Sequence, residues 1–156
     1  MTIRKFSISE VDRLALIAKL QTGEPLLGVD RSIKEIANTT IEVLPFKKRY
    51  PEEHAKWAAH LGEQLGLDIT EMRLHIVREA GMIDEHVDTM LPQNDTLIAR
   101  LDENTSPRLT INGERVEEET AGTGYFLPEG TPHGVLPGNP GDGDRYSLVI
   151  WTKRAA

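Results

Sequence analysis

The chain contains no cysteine among its 156 residues. It therefore has no disulfide framework, no zinc site built from thiolates and no thiol nucleophile. Aromatic residues are scarce, at 5%, and acidic residues outnumber basic ones to give a net charge of −7. Because proteins that bind nucleic-acid backbones need clustered Lys and Arg, we expect no nucleic-acid partner.

Long apolar runs are also lacking. No segment approaches the roughly 18–20 residues that a membrane-spanning helix needs, and the first residues do not resemble the apolar core of a signal peptide. We therefore expect no membrane partner and a cytoplasmic location. The composition, 38% hydrophobic and 28% charged, and the length together predict a single globular domain over residues 1–156.

Residues 1–70 show helical patterns around one strand, and we expect them to support the rest of the domain. Ser7–Glu10 has the spacing of a capping box. Apolar residues then follow at helical spacing: Val11, Leu14, Ile17, Ala18 and Leu20. Residues 39–46 favour a strand. A second helix is predicted over Pro51–Leu65, with Gly66 just past its end.

The second helix carries an apolar stripe and two histidines. Trp57, Leu61 and Leu65 recur at helical spacing and are expected to pack on a sheet. His54 and His60 lie six residues apart, and therefore on different faces of the helix. We expect both histidines to face solvent.

Residues 71–152 carry short strand patterns separated by turn signals. The predicted strands centre on Leu74, Thr96–Leu101, the Leu109–Val116 hairpin, Gly124–Leu127 and Tyr146–Trp151. Within the hairpin, Asn112-Gly113 predicts a type I′ turn. Helices followed by antiparallel strands predict a mainly β fold, a jelly-roll-like sandwich or barrel with helices on one face.

His86, Asp88 and His133 form the most informative pattern. Two imidazoles and one carboxylate are the ligands of the facial triad that holds non-haem Fe(II) and leaves coordination positions open. Residues two apart point to the same side of a strand, and we expect His86 and Asp88 to follow a strand that ends near Met82. Mn(II) and Zn(II) also suit these ligands. The alternative is a pair of exposed loop histidines that never meet.

Arg145 and Ser147 share one face of a predicted strand. A guanidinium binds a carboxylate through two hydrogen bonds, and a hydroxyl adds a third, so this pair could hold a dicarboxylic acid in the same cavity. A weak surface ion pair between Arg145 and a nearby aspartate is the alternative. Arg100 is either a further contact to the cosubstrate or substrate, or a solvated strand residue.

Two further features have structural interpretations that we favour. His75 shares the face of Arg73 and could contact a substrate, but core or surface packing is the more frequent role of such a residue. The acidic run Glu117–Glu119 is expected to be a solvated hairpin edge that discourages pairing with other chains.

Together these residues resemble the Fe(II)/2-oxoglutarate-dependent oxygenases, within them the aspartyl/asparaginyl β-hydroxylase-like branch that includes free-proline hydroxylases. The resemblance covers roughly residues 71–152. The matching segments are His86-Val87-Asp88, Ile98–Leu101, Leu109–Gly113, Gly124-Tyr125, His133–Val135, Asn139 and Asp144–Val149.

The resemblance implies a double-stranded β-helix (jelly-roll, cupin-like) core. His86, Asp88 and His133 would be the catalytic iron ligands, and Arg145, assisted by Ser147, would bind the C5 carboxylate of 2-oxoglutarate. The family usually has a histidine two residues after the arginine that corresponds to Arg100, whereas Asp102 stands here. The role of Arg100 in cofactor binding therefore stays open.

The implied reaction uses Fe(II), 2-oxoglutarate and O2 to hydroxylate an unactivated C–H bond of a small-molecule or peptidyl amino acid, with proline or an Asp/Asn-type residue favoured. Succinate and CO2 would be released. Two other functions compete with it: a cupin-like metalloenzyme that does not use 2-oxoglutarate, and a non-catalytic jelly-roll binding module.

Overall fold

The computed structural model describes residues 3–27, 41–88, 94–104 and 106–153. These ranges contain three helices: α1 (Glu10–Thr22), α2 (Phe46–Arg49) and α3 (Pro51–Leu65). They also contain eleven strands: β1 (Lys5–Ser7), β2 (Leu26–Leu27), β3 (Ile41–Leu44), β4 (Ile69–Val77), β5 (Ile83–His86), β6 (Asn94–Arg100), β7 (Leu109–Ile111), β8 (Glu114–Arg115), β9 (Thr123–Leu127), β10 (His133–Val135) and β11 (Arg145–Lys153). No helix in the described part of the chain is long and apolar enough to cross a membrane.

The strands form two sheets, and every pairing among the described strands is antiparallel. The larger sheet has the order β1-β9-β6-β11-β4-β3-β2, and the smaller has the order β5-β10-β7-β8. Strands that are far apart in sequence are therefore neighbours, as in a jelly roll. The prediction of a mainly β jelly-roll core with flanking helices is confirmed.

The central strand β11 shows how the chain separates its layers. Leu148 and Ile150 are fully buried in the core beside α1 and α3, whereas Val149 and Trp151 belong to a second core on the opposite face. Because side chains alternate along a strand, Arg145 and Ser147 share the face of Val149 and Trp151. The expected common face of Arg145 and Ser147 is confirmed, and it is directed away from the helices.

Helix α1 begins and packs differently from the prediction. Its N-cap is Ser9, whose hydroxyl accepts a hydrogen bond from the Asp12 backbone N–H, and Ser7 ends strand β1. The buried face contains Arg13, Leu16 and Leu20 together with Asp12, while Val11 is 78% exposed.

The face of α1 is set by polar contacts. The Arg13 guanidinium donates to the Leu101 carbonyl at 2.6 Å and pairs with Glu10 and Glu103. This anchoring turns the helix so that Leu14, which hydrophobic spacing placed with the core residues, is 52% exposed.

Helix α3 has the predicted bounds, and Gly66 adopts the left-handed conformation at its C-terminus. Leu61 is buried, and Trp57 and Leu65 pack against the same core, as predicted. The prediction for His54 is wrong, because this side chain is 5% exposed and its Nε2 accepts the Met72 backbone N–H at 3.1 Å.

The strand predicted over residues 39–46 and the predicted turn at Asn112-Gly113 can both be compared with the structure. The strand expected over residues 39–46 is present as β3, while Thr39 and Thr40 lie outside the described residues. At the predicted type I′ turn, Asn112 and Gly113 have φ values of 54° and 80°, as that turn requires.

Candidate active site

Two neighbouring strands of the smaller sheet present the two histidines. His133 begins β10 and lies directly opposite His86, the last residue of β5. The imidazole ring centroids are 4.5 Å apart. The strand preceding His86 is therefore β5 itself, and the predicted strand end near Met82 is wrong, since β4 ends at Val77 and β5 begins at Ile83.

An irregularity in β5 directs His86 into the interior. His133 pairs with His86 and Val135 pairs with Ile83, so three residue steps on β5 match two steps on β10. In a regular strand, Ile83 and His86 would face opposite sides. The extra residue of this bulge brings both side chains to the same cavity.

The donor atoms of His86, Asp88 and His133 surround one point. Asp88 Oδ1 lies 3.2 Å from His86 Nε2, and Asp88 Oδ2 lies 3.4 Å from His133 Nε2. All three donor atoms lie within 4.8 Å of one another. Two ligands at right angles, each about 2.1 Å from an ion, are about 3.0 Å apart, so the spacing fits a metal ion.

The hydrogen bonds of both imidazoles support this fit. His86 Nδ1 lies 2.8 Å from the Asp84 carbonyl oxygen, and His133 Nδ1 lies 2.9 Å from the Thr131 carbonyl oxygen. A carbonyl accepts but does not donate, so each Nδ1 carries a proton and donates it. In a metal-bound form each imidazole would keep this Nδ1 hydrogen bond and present the lone pair of Nε2, the atom that lies beside Asp88, to the ion, the usual arrangement of metal-binding histidines.

Asp88 is held as a carboxylate. Burial raises the pKa of Asp88, but the hydrogen bonds and positive potential of His133 and His86 outweigh that effect and hold the pKa well below its ordinary range. The Thr96 hydroxyl donates to Asp88 Oδ2 at 3.0 Å and fixes the side chain. The anion that a metal ligand requires is thus available at neutral pH.

The metal position opens into a cavity between the two sheets. The lining residues are His75, Val77, Ile83, His86, Asp88, Ile98, His133, Gly134, Val135, Arg145, Ser147, Val149 and Trp151. Arg145 is fully buried and Ser147 is 4% exposed. The structure therefore brings the three candidate ligands, Arg145 and Ser147 into one cavity.

Arg145 has a partner within the protein and retains free donors. Its Nη1 lies 2.5 Å from Glu119 Oε1, whereas its Nε and Nη2 are buried without a hydrogen-bond partner in the part of the chain that the structure describes. The alternative of a surface pair with Asp144 does not apply, because Asp144 binds Arg78 instead. Unpartnered buried guanidinium N–H groups are costly, so a carboxylate ligand fits this position.

Arg100 lies elsewhere. It is buried, and its guanidinium binds Asp102 at 3.0 Å, the Ser106 carbonyl at 2.6 Å and Glu119 at 3.2 Å. Arg100 is not among the residues that line the cavity. Its contact with the cavity therefore runs through the shared partner Glu119.

Glu119 itself contradicts the prediction of a solvated acidic edge. Its neighbours Glu117 and Glu118 are exposed, but Glu119 is 2% exposed. Its Oε1 also accepts the Arg108 backbone N–H at 3.0 Å. Burial raises the pKa of Glu119, but the charge and hydrogen bond of Arg145, the hydrogen bond from the Arg108 backbone N–H and the charge of Arg100 outweigh that effect, so the net shift of the pKa is downward.

His75 lies on β4 opposite Ser147 and faces the cavity. Its Nε2 is buried and finds no hydrogen-bond partner among residues 3–27, 41–88, 94–104 and 106–153. Burial, and next the charge of Arg73, lower the pKa of His75 to about 3. His75 is therefore buried, as a packing role requires, but it also presents a neutral polar group to the cavity, where a ligand can contact it.

Comparisons with known proteins bear on the fold. No family model matches the chain, and no curated protein sequence matches it significantly. Among solved structures, a prolyl-4-hydroxylase from Pseudomonas putida matches with a TM-score of 0.70 and 16% identity over 99% of this chain and 93% of that one. The chain has the fold of a prolyl hydroxylase.

Two further structures agree on that fold. A Trichoplax adhaerens prolyl hydroxylase, solved with a peptide fragment of the hypoxia-inducible factor, has a TM-score of 0.67 and 14% identity over 97% of this chain and 83% of that one. SnoN, an α-ketoglutarate-dependent non-haem epimerase from nogalamycin biosynthesis, has a TM-score of 0.62 and 14% identity over 98% of this chain and 78% of that one.

Sequence reasoning missed two charged residues beside the cavity of this prolyl hydroxylase fold. Glu119 was hidden in an acidic run, and Arg108 precedes the predicted hairpin without any motif of its own. Arg108 is 1% exposed and donates to the carbonyls of Leu136, Arg78 and Gly81. Alternation along the strand that begins at Leu109 gives no signal for a residue just outside it.

Proposed function

We propose that this protein is an Fe(II)- and 2-oxoglutarate-dependent oxygenase that hydroxylates an unactivated C–H bond of an amino acid or a peptidyl residue. The observation that carries the proposal is the convergence of His86 Nε2, His133 Nε2 and an Asp88 oxygen beside the unpaired Nε and Nη2 of Arg145. A metal triad explains the first part, and a dicarboxylic acid that bridges from metal to arginine explains the second.

Each side chain has a defined task in this proposal. His86, Asp88 and His133 hold the metal on one side and leave the cavity side open. Arg145, assisted by the Ser147 hydroxyl, binds the distal carboxylate of 2-oxoglutarate, so that its keto-acid end is directed toward the metal. The neutral imidazole of His75 lies across from Ser147 and is positioned to contact the bound acid.

When bound, Fe(II) couples the oxidative decarboxylation of 2-oxoglutarate to hydroxylation of a C–H bond. The atoms balance: one oxygen atom of O2 enters succinate, the other becomes the new hydroxyl group, and the carboxylate next to the keto group leaves as CO2. Two of the electrons that reduce O2 come from 2-oxoglutarate and two from the C–H bond. The apolar walls of Ile98, Val149 and Trp151 exclude water.

Prolyl or related amino-acid substrates are favoured because the similar structures include prolyl hydroxylases, one of them solved with a peptide. An Asp/Asn-type residue is the second class to examine. We expect free proline, or a proline-containing peptide, to increase succinate release and to gain the mass of one oxygen atom. If neither class of substrate gains the mass of one oxygen atom, the substrate assignment is contradicted.

The cosubstrate assignment is tested by anaerobic titration. Fe(II) and 2-oxoglutarate together are expected to give a weak visible charge-transfer band. Arg145→Ala should weaken 2-oxoglutarate binding but leave metal binding unchanged, while Arg78→Ala, which changes an exposed arginine paired with Glu42 and Asp144, should alter neither. A metalloenzyme that works without 2-oxoglutarate would bind metal but show no band, and a binding module would bind neither.

A further inference from the structure

Three buried arginines and two carboxylates form one charged cluster behind the cavity. Arg145 and Arg100 both bind Glu119, and Arg100 also binds Asp102. The third arginine, Arg108, is linked through its backbone N–H to Glu119. All five residues are at most 9% exposed.

The cluster has an unbalanced charge. Three guanidiniums and two carboxylates leave one positive charge. Within the described part of the chain, the side chain of Arg108 donates to backbone carbonyls and has no carboxylate among its hydrogen-bond partners. Burial and the charges of Arg145 and Arg100 lower the pKa of Arg108, while Asp102 and Glu119 act in the opposite direction. The five groups therefore influence one another.

The excess charge is accessible at one place. Each of the three guanidiniums has a nitrogen without a partner among the described residues, Nε and Nη2 in Arg145, but only Arg145 lines the cavity, and Glu119 does not. Glu119 thus neutralises Arg145 from behind and leaves the cavity side free. A buried charge without a counter-ion is strongly unfavourable, so a single carboxylate entering the cavity completes the cluster.

We infer that Glu119 is the resident counter-ion of this anion site and limits its excess charge to one, so that the cavity accepts one carboxylate group and discriminates against other anions. The inference rests on the proposed 2-oxoglutarate site. It makes Glu119 a residue that determines specificity through Arg145, without itself touching the cosubstrate. The affinity for 2-oxoglutarate then follows the total charge of the cluster and not the identity of any one residue outside the cavity.

A charge series tests the inference by calorimetric titration of the Mn(II)-loaded protein with 2-oxoglutarate. Glu119→Gln keeps a hydrogen-bond acceptor and adds one positive charge, so the dissociation constant should fall at least about tenfold. Arg100→Gln removes one positive charge and should raise the constant at least about tenfold. The double variant restores the original charge and should bind within about threefold of wild type.

Controls separate charge from folding and general binding. Glu118→Gln, at the exposed neighbouring position, should leave the affinity unchanged. 2-Oxobutanoate lacks the distal carboxylate, and its affinity should change less across the series than that of 2-oxoglutarate. In addition, Glu119→Gln should be less stable to heat without an anion and should be stabilised by inorganic phosphate, which should leave the wild type unaffected.

The outcomes are distinct. Weaker or unchanged 2-oxoglutarate binding by Glu119→Gln would overturn the inference, since a residue that only orients Arg145 weakens binding when it is replaced. If Glu119→Gln does not fold, the double variant is the deciding protein, and 2-oxoglutarate binding more than about threefold weaker than in wild type contradicts control by the charge of the cluster. A wild-type protein that binds no 2-oxoglutarate refutes the proposed function itself.

Discussion

Gly134 offers a direct test of how the two histidines are held together. It follows His133 on β10 and lies at the bulge of β5. A Cβ added at Gly134 would lie 2.7 Å from the Ile83 carbonyl oxygen, 3.0 Å from the Glu85 nitrogen and 3.1 Å from the Glu85 Cα. All three contacts are with backbone, so no side-chain rotation relieves them. In Gly134→Ala, β5 and β10 must therefore separate.

The expected size of the effect follows from these distances. Ordinary contacts begin near 3.5 Å, so the strands must move apart by roughly 0.5–1 Å. Overpacking of this kind costs about 1–3 kcal/mol of stability. Metal–ligand distances tolerate only about 0.2 Å. Because His86 and His133 lie on the two separating strands, Mn(II) affinity should fall at least about tenfold, or about 1.4 kcal/mol.

Calorimetric Mn(II) titration and urea unfolding measure the two effects separately. Gly23→Ala is the matched control, since its Cβ would lie 2.8 Å from Leu44 Cδ1 and 3.1 Å from the Lys19 carbonyl, among residues that do not line the cavity. It should lose stability but bind Mn(II) as wild type does. Wild-type Mn(II) affinity in a folded Gly134→Ala protein would refute the reasoning.

Three further outcomes are expected. Leu16→Ala should reduce the free energy of unfolding by about 2–5 kcal/mol, whereas Leu14→Ala should change it by less than about 0.5 kcal/mol in urea unfolding; equal losses would contradict the buried face of α1. Burial, and next a nearby lysine, lower the pKa of His54 below its ordinary 6.5, so the unfolded chain takes up more protons in acid. The free energy of unfolding should then fall as the pH drops below about 6.5, and His54→Gln should show a smaller fall over that range; an unchanged pH profile would exclude this origin. Ser147→Ala should raise the dissociation constant for 2-oxoglutarate several-fold and leave that for Mn(II) unaltered, and a matching change in both would indicate a general disturbance of the cavity.

Local periodicity accounts for what the sequence predicted correctly. Alternation along β11 placed Arg145 and Ser147 on one face, and the proline and glycine at the two ends of α3 marked its limits. The spacing of His86 and Asp88 indicated a common direction. Each of these features depends on residues that lie near one another in the chain, so the pattern within a single sequence is sufficient to predict it.

The remaining features depend on distant contacts. The bulge in β5 arises from the pairing of β5 with β10. No residue within Ile83–His86 predicts a bulge from the local sequence. Glu119 is buried because Arg100 and Arg145 converge on it from two other strands, although its neighbours in sequence are solvated. Arg13 likewise sets the packed face of α1 by reaching the carbonyl of Leu101.

Strand β5 forms one edge of the four-stranded sheet and bonds to β10 alone among the described strands. An ion bound by both His86 and His133 would cross-link β5 to β10. Removal of the metal by a chelator would therefore weaken the pairing of β5 with β10. The backbone groups exposed in this way can pair with a strand of a second molecule. The apoprotein is accordingly the form that should aggregate first on storage.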